Sequence, residues 1–325
     1  MKLERWFQNL GKDPGRSLFC LTSGGNGGDE WLHEVAQLKL HDLGLQDRII
    51  FYDHYKGSLQ KYEKPVLGYV EYHVSWHCNL NCKGCAHYCN LNRMPRFGDI
   101  KSFRANLLRL KLLFDHVETF TLMGGEPFLN PELGMFALAV RETFPATSLQ
   151  IITNGLLILK AEEQLLDMLA ECDALVMISN YPPTAKILED VEARLKMHGV
   201  RFEVSPPITE FRFEVGAETG DGLFNYSHCC MKKCHFLEDD GCIGGCGAPI
   251  FYKENQEYLE TKREVSLEDW INIQTQNDGW QLLYKLNKPM PFCRYCITGK
   301  RIMFPWQGQY TRELKEEEVS DRYKG

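Results

Sequence analysis

Residues 76–89 read W-H-C-N-L-N-C-K-G-C-A-H-Y-C, which sets Cys78, Cys82 and Cys85 at C-x3-C-x2-C with Cys89 just beyond. The run follows an apolar stretch, 66–75, that reads as a β-strand, so the thiols fall on a loop at a strand's carboxyl end. Three soft thiolates on one tight loop can grip three irons of a cubane cluster and leave the fourth iron open. Zinc is the alternative occupant. It would need Cys89 as its fourth ligand, whereas zinc sites usually draw a second pair of ligands from elsewhere in the chain.

Outward from this loop, strand and helix patterns alternate. Strands are expected at 66–75, 117–122, 149–153, 174–179 and 200–204, with helices at 100–116, 132–143, 162–172 and 186–198. Strands separated by helices of this length run parallel through right-handed crossovers. Polar residues gather at the strand ends, at 124–126, 153–155 and 179–180, and in parallel α/β folds ligands bind at the carboxyl ends of strands. One crevice fed by successive strands is the expected site. Before the first of these strands, 18–20, a glycine-rich turn at 23–28, a helical pattern at 29–43 and a strand at 48–52 read as a β-α-β unit. The turn is not G-x-G-x-x-G, because Glu30 stands where the third glycine belongs. Past Pro206 the pattern breaks into short β segments and cysteine-rich turns, with one helix expected at 266–286 and a polar tail from Thr311.

With 44% hydrophobic and 25% charged residues, the chain can bury a core, which excludes wholesale disorder. A net charge of −7 speaks against an electrostatic grip on nucleic acid or an anionic membrane. No apolar run approaches the roughly 20 residues of a membrane span, and 1–20 has no signal-peptide apolar core. A cytoplasmic location is expected. The 13 cysteines are odd in number and clustered, so thiolates serving metal are a better reading than disulfides. Cys20 and Cys172, alone in apolar stretches, read as buried core residues.

The cysteine loop resembles that of the radical S-adenosylmethionine (SAM) enzymes, whose C-x3-C-x-Φ-C loop follows the first strand of a partial (β/α)6 TIM-like barrel. Gly84 stands where that family usually has an aromatic residue. The second strand ends in Gly124-Gly125-Glu126-Pro127, similar to the family's GGEP motif, whose backbone and carboxylate hold the amino group of SAM. Two glycines allow close backbone approach, and a carboxylate offers an ammonium a charge-assisted acceptor. Thr153 and Asn154 look like the family position that contacts the ribose or carboxylate of SAM, and Ser179 is a further candidate for the same pocket. The resemblance covers 66–204. It implies SAM and a four-iron cluster, reductive cleavage of SAM to a 5′-deoxyadenosyl radical, and hydrogen abstraction from a substrate.

A second set of cysteines comprises Cys229, Cys230, Cys234, Cys242 and Cys246, then Cys293 and Cys296 as C-x2-C. The run 234–246 reads as a hairpin centred on 239–241, with Cys234 and Cys246 equidistant from its turn. With Cys293 and Cys296 they make four thiolates, enough for a second four-iron cluster. Gly241 and Cys246 are similar to the G-x4-C element of the SPASM and twitch extensions of radical SAM enzymes. The single-cluster twitch form matches better, since no cysteine follows Cys296. SPASM spacing favours Cys229 or Cys230 as first ligand over Cys234, and a four-thiolate zinc ribbon is the alternative site.

The expected organisation is thus an N-terminal β-α-β cap at 1–65, a radical SAM partial barrel at 66–205, a cysteine-rich auxiliary domain at 206–310 and a polar tail at 311–325. The resemblance points to a radical SAM oxidoreductase or epimerase acting on a carbohydrate-like small molecule, with flavodoxin or ferredoxin as electron donor. A peptide-modifying maturase is the second reading, and a metal-stabilised binding protein without SAM chemistry the third. Cys230, a spare thiol, is a candidate hydrogen donor to a substrate radical.

Overall fold

The computed structural model describes residues 19–21, 30–53, 58–91, 94–212, 215, 220–259, 263–298 and 303–308. The glycine-rich turn, the tail from Thr311 and the side chain of Cys20 lie outside the described residues. β1 (Phe19–Leu21) and β2 (Ile49–Asp53) pair in parallel with α1 (Glu30–Asp42) between them in sequence, the β-α-β arrangement expected. The connector that follows adds an antiparallel strand, β3 (Ser58–Gln60).

The main sheet begins with β4 (Val66–Ser75). Val70, Tyr72 and Val74 join the core under the helices. Glu71 and His73, between them, project from the opposite face. Next to β4, in order and all parallel, come β5 (His116–Gly124), β6 (Ser148–Thr153), β7 (Leu175–Ile178) and β8 (Arg201–Val204). Their crossovers carry α2 (Ile100–Leu113), α3 (Leu133–Thr143), α4 (Glu163–Glu171), the single turn α5 (Pro182–Ala185) and α6 (Leu188–Met197). Asp99 caps α2, accepting from Ser102 N at 2.7 Å. Phe103, Phe120 and Phe136 are fully buried where these helices meet the sheet, and Cys172 is buried there too.

Among the described residues, no sixth parallel strand follows β8. After β9 (Glu210–Arg212) and α7 (Gly222–His228), β10 (His235–Leu237) pairs in parallel with the free side of β4, His235 opposite Val70. β11 (Cys242–Gly244) and β12 (Ile271–Asn272) continue antiparallel, so the cysteine-rich segment extends the same eight-stranded sheet. The fold is α/β with a large parallel-rich sheet, consistent with a partial TIM-like barrel. Between β11 and β12 lies α8 (Ala248–Asn255).

The helix expected over 266–286 is much shorter. Ser266 and Asp269 form a capping box on a 3-10 turn, Ile271 pairs with Ile243 in the sheet, and Asn272 caps a second 3-10 turn by accepting from Gln274 N. Only α9 (Gly279–Leu286) is α-helical, started by Asp278 accepting from Trp280 N and Gln281 N. The short polar side chains compete with helical hydrogen bonding at each of these points.

α1 is fixed to the sheet by buried polar groups. Glu34 accepts from Gly68 N and from Asn287 Nδ2, both at 2.7 Å, and meets His235 Nε2 at 2.9 Å. Lastly, β13 (Met303–Pro305) pairs antiparallel with β9, a two-stranded ribbon beyond the β8 edge.

Candidate active site

From Ser75 the chain turns across the carboxyl end of the sheet, and the end of β5 fixes its path. Gly125 N donates to Ser75 O at 2.7 Å and Glu126 N donates to His77 O at 3.0 Å. The two backbones lie so close that a Cβ on Gly125 would sit 2.0 Å from His77 O. One on Gly124, whose φ is +136°, would sit 2.0 Å from Ser75 O. Close approach is therefore the reason for both glycines, but what they approach is the start of the cysteine loop. Asn154, at the end of β6, holds the loop from the other side, its Nδ2 donating to Asn79 Oδ1 at 2.7 Å and lying 3.6 Å from Cys78 Sγ.

Glu126 is fully buried. Its Oε1 accepts from Thr153 Oγ1 at 2.7 Å and Phe128 N at 3.1 Å, and its Oε2 accepts from Asn154 N at 2.8 Å. Burial pushes its carboxyl up to about 7 against the pull of those donors. The carboxylate thus ties the ends of β5 and β6 together and does not line the cavity beside it.

That cavity, of about 500 Å³, is lined by Cys78, Cys82 and Cys85 together with Gly124, Gly125, Thr153, Asn154 and Ser179. The structure therefore gathers the expected residues around one space, apart from Glu126. The donor chemistry suits an iron-sulfur cluster. Cys85 is drawn down to about 7, chiefly by a hydrogen bond from the Cys89 thiol, with backbone N–H groups of residues 87, 89 and 90 adding to it. Cys89 keeps its proton, held by that bond and by burial. Burial and the nearby Glu126 push Cys78 well above the ordinary thiol range, so a cation is needed to hold it as thiolate. Gly84 has φ +66°. That left-handed conformation suits glycine and would strain an aromatic residue, which is a backbone reason for the departure from the family pattern.

Tyr181 was not foreseen. It lines the cavity just past β7, and burial together with Cys82, Cys85 and Cys78 pushes its phenol upward. Its ring stacks on Trp306 at 5.4 Å. The only sequence signal was its position two residues after Ser179, and its partner lies 125 residues away in the chain.

Residues 73–203 match the family model of the radical SAM superfamily. This stretch is a radical SAM domain. A GTP 3′,8-cyclase of Campylobacter curvus (strain 525.92) is 27% identical over 103 residues, 31% of this chain, and the match spans only 32% of that curated relative's length. Solved structures similar in fold include anSMEcpe with bound AdoMet, at 15% identity and TM-score 0.46 over 69% of this chain and 82% of that one. BtrN in complex with AdoMet and 2-DOIA aligns at 17% identity and TM-score 0.46 over 72% and 94%.

The second thiol set is carried by several stretches of the chain around the β10–β11 hairpin. The hairpin has the expected register, Phe236 opposite Gly244 and Leu237 opposite Ile243, with Gly241 at φ +81° in its turn. Burial pushes Cys246 well above the ordinary thiol range, and the thiols of Cys296, Cys229 and Cys293 add to it. Burial, and after it Glu71, pushes Cys234 up as well. The chain turns tightly before β10, Cys234 N donating to Met231 O at 2.9 Å. Cys230 is exposed, 3.0 Å from Arg212 Nη2, and does not line the cavity. Among the described residues, no three His, Cys, Asp or Glu side chains gather tightly enough for a single ion.

Between the two sets lies a smaller cavity of about 50 Å³, lined by Cys85, His87, Cys246 and Glu71. No helix among the described residues is long and apolar enough to cross a membrane.

Proposed function

We propose that the protein is a radical SAM enzyme that abstracts hydrogen from a carbohydrate-like small molecule, in an epimerisation or a dehydrogenation. The observation that carries this reading is the meeting of Cys78, Cys82 and Cys85 with Gly124, Gly125, Thr153, Asn154 and Ser179 around one cavity. When bound there, a reduced four-iron cluster supplies the electron that splits SAM, and SAM supplies the hydrogen-abstracting 5′-deoxyadenosyl radical.

The protein's own groups prepare that chemistry. The three thiolates hold the cluster, and backbone N–H groups around Cys85 stabilise negative charge on its sulfur. Backbone at Gly124 and Gly125, with the side chains of Thr153, Asn154 and Ser179, offers the polar contacts for SAM. Glu126 is a positioning residue that acts through Thr153 and Asn154. Cys229, Cys246, Cys293 and Cys296 hold an auxiliary four-iron cluster in the segment 206–310, next to the barrel segment 66–205 and the cap 1–65. That cluster suits an electron acceptor in a dehydrogenation, whereas a thiol such as Cys230 suits hydrogen return in an epimerisation. A flavodoxin or ferredoxin supplies the electrons.

The test is anaerobic incubation of reduced protein with SAM. We expect 5′-deoxyadenosine and methionine from the native chain and neither from Cys82→Ala. Equal product from both would overturn the assignment.

A further inference from the structure

The cavity wall formed by Ile208, Glu210, Phe211, Arg212 and Met303 lies outside the pattern read for SAM, and it carries two charged side chains, Glu210 and Arg212. Among the lining residues Arg212 is the permanently charged cation. β9 places Glu210 and Arg212 on one face by strand alternation. Phe211, on the other face, meets the rings of Tyr181 at 5.9 Å and Phe304 at 6.5 Å. The ribbon is anchored at both strands: Met303 pairs with Arg212, Trp306 N donates to Thr209 O at 2.8 Å, and Lys83 N of the cysteine loop donates to Gln307 O at 2.8 Å. A half-buried guanidinium is thus held at a fixed place on the wall of the space that the three thiols also line, its Nη2 3.0 Å from Cys230 Sγ.

We propose that Arg212 anchors an anionic group of the substrate, so that the molecule taken here is a small polyhydroxylated compound bearing a phosphate or a carboxylate. A guanidinium matches either group with paired N–H donors, and a fixed one loses little freedom on binding. Glu210, two residues before it, favours a hydroxyl or amine donor beside that anion. This deepens the function proposed above and rests on it.

The neighbouring thiol gives a readout that needs neither substrate turnover nor a loaded cluster. An anion that engages Arg212 draws the guanidinium from Cys230 Sγ, and a thiol that loses its cationic neighbour and gains an anionic one should be alkylated by iodoacetamide roughly tenfold more slowly. The alkylation is followed by peptide mass mapping of the full chain at constant ionic strength. Inorganic phosphate and glucose 6-phosphate should slow it saturably, and free glucose should not. The effect should vanish in Arg212→Gln and survive in part in Arg212→Lys.

Unchanged alkylation with both phosphates, equal action of glucose, or an effect that persists in Arg212→Gln would overturn the proposal. SAM affinity should be the same in Arg212→Gln as in the native protein, and a loss would place Arg212 in the SAM site instead. Failure of the radical SAM reading would show separately, as absence of SAM cleavage in a protein whose Cys230 still responds to phosphate.

Discussion

The two thiol sets differ in how they are built. Cys78, Cys82 and Cys85 belong to one loop of eight residues, and adjacent strand ends need only hold that loop. Cys229, Cys246, Cys293 and Cys296, the proposed second set, come from three separate stretches: the end of α7, the β10–β11 hairpin and the turn at Pro291–Tyr295. A local site declares its members by spacing, whereas an assembled one is decided by packing. The proposed second set takes Cys229 in place of Cys234, while the hairpin register that suggested Cys234 is as expected.

The sharpest way to break this contrast is to remove the exchanged cysteines one at a time. Cys229→Ala should cost the protein about four irons, one whole cluster, while Cys234→Ala should keep all of them. Anaerobic iron analysis distinguishes the two, and the reverse result would restore the hairpin pair. A smaller effect is expected at the local site. In Gly125→Ala the new Cβ would fall 2.0 Å from His77 O, so either the cysteine loop or the end of β5 must move. We expect a loss of roughly 1–3 kcal/mol in the stability of the apoprotein, with weakened SAM binding. Denaturant unfolding together with SAM titration would reveal it, and native values in both would remove the close-approach argument.

An effect seen only as a pH slope concerns the space between the two sets. Glu71 is buried on its wall, Oε1 has no hydrogen-bond partner among the described residues, and burial pushes its carboxyl from 4.5 to about 8. Because the folded pKa is raised, the folded apoprotein keeps a proton that the unfolded chain has lost between pH 4.5 and 8. Its stability should fall as pH rises through that window, by up to roughly 1.4 kcal/mol per pH unit from this group. Glu71→Gln should flatten the dependence. An unchanged slope in chemical denaturation would show that Glu71 ionises without cost.

The same contrast explains what the amino-acid sequence made legible. Five parallel strands and their helices could be read closely, since each pairs with a neighbour one crossover away and has a clear apolar period. β10 has three residues and no period, so its insertion beside β4 could not be inferred. The ribbon of β9 and β13 joins residues about 90 apart, and neither strand exceeds three residues. At the site, the cysteine loop and the glycine pair were legible because their spacing is their chemistry. Glu126 could be recognised but not its inward orientation, which depends on donors from β6. Tyr181 and Arg212 depend on the ribbon and so remained hidden with it.

The central claim is that two independent thiol sets each hold a cluster. Iron per chain measured on anaerobically prepared protein, native and with Cys78, Cys82 and Cys85 all replaced by Ala, tests it most directly. The account predicts about eight irons in the native protein and about four in the variant, two four-iron clusters reduced to one. Zinc in place of the remaining irons, or a variant that loses all its metal at once, would contradict it.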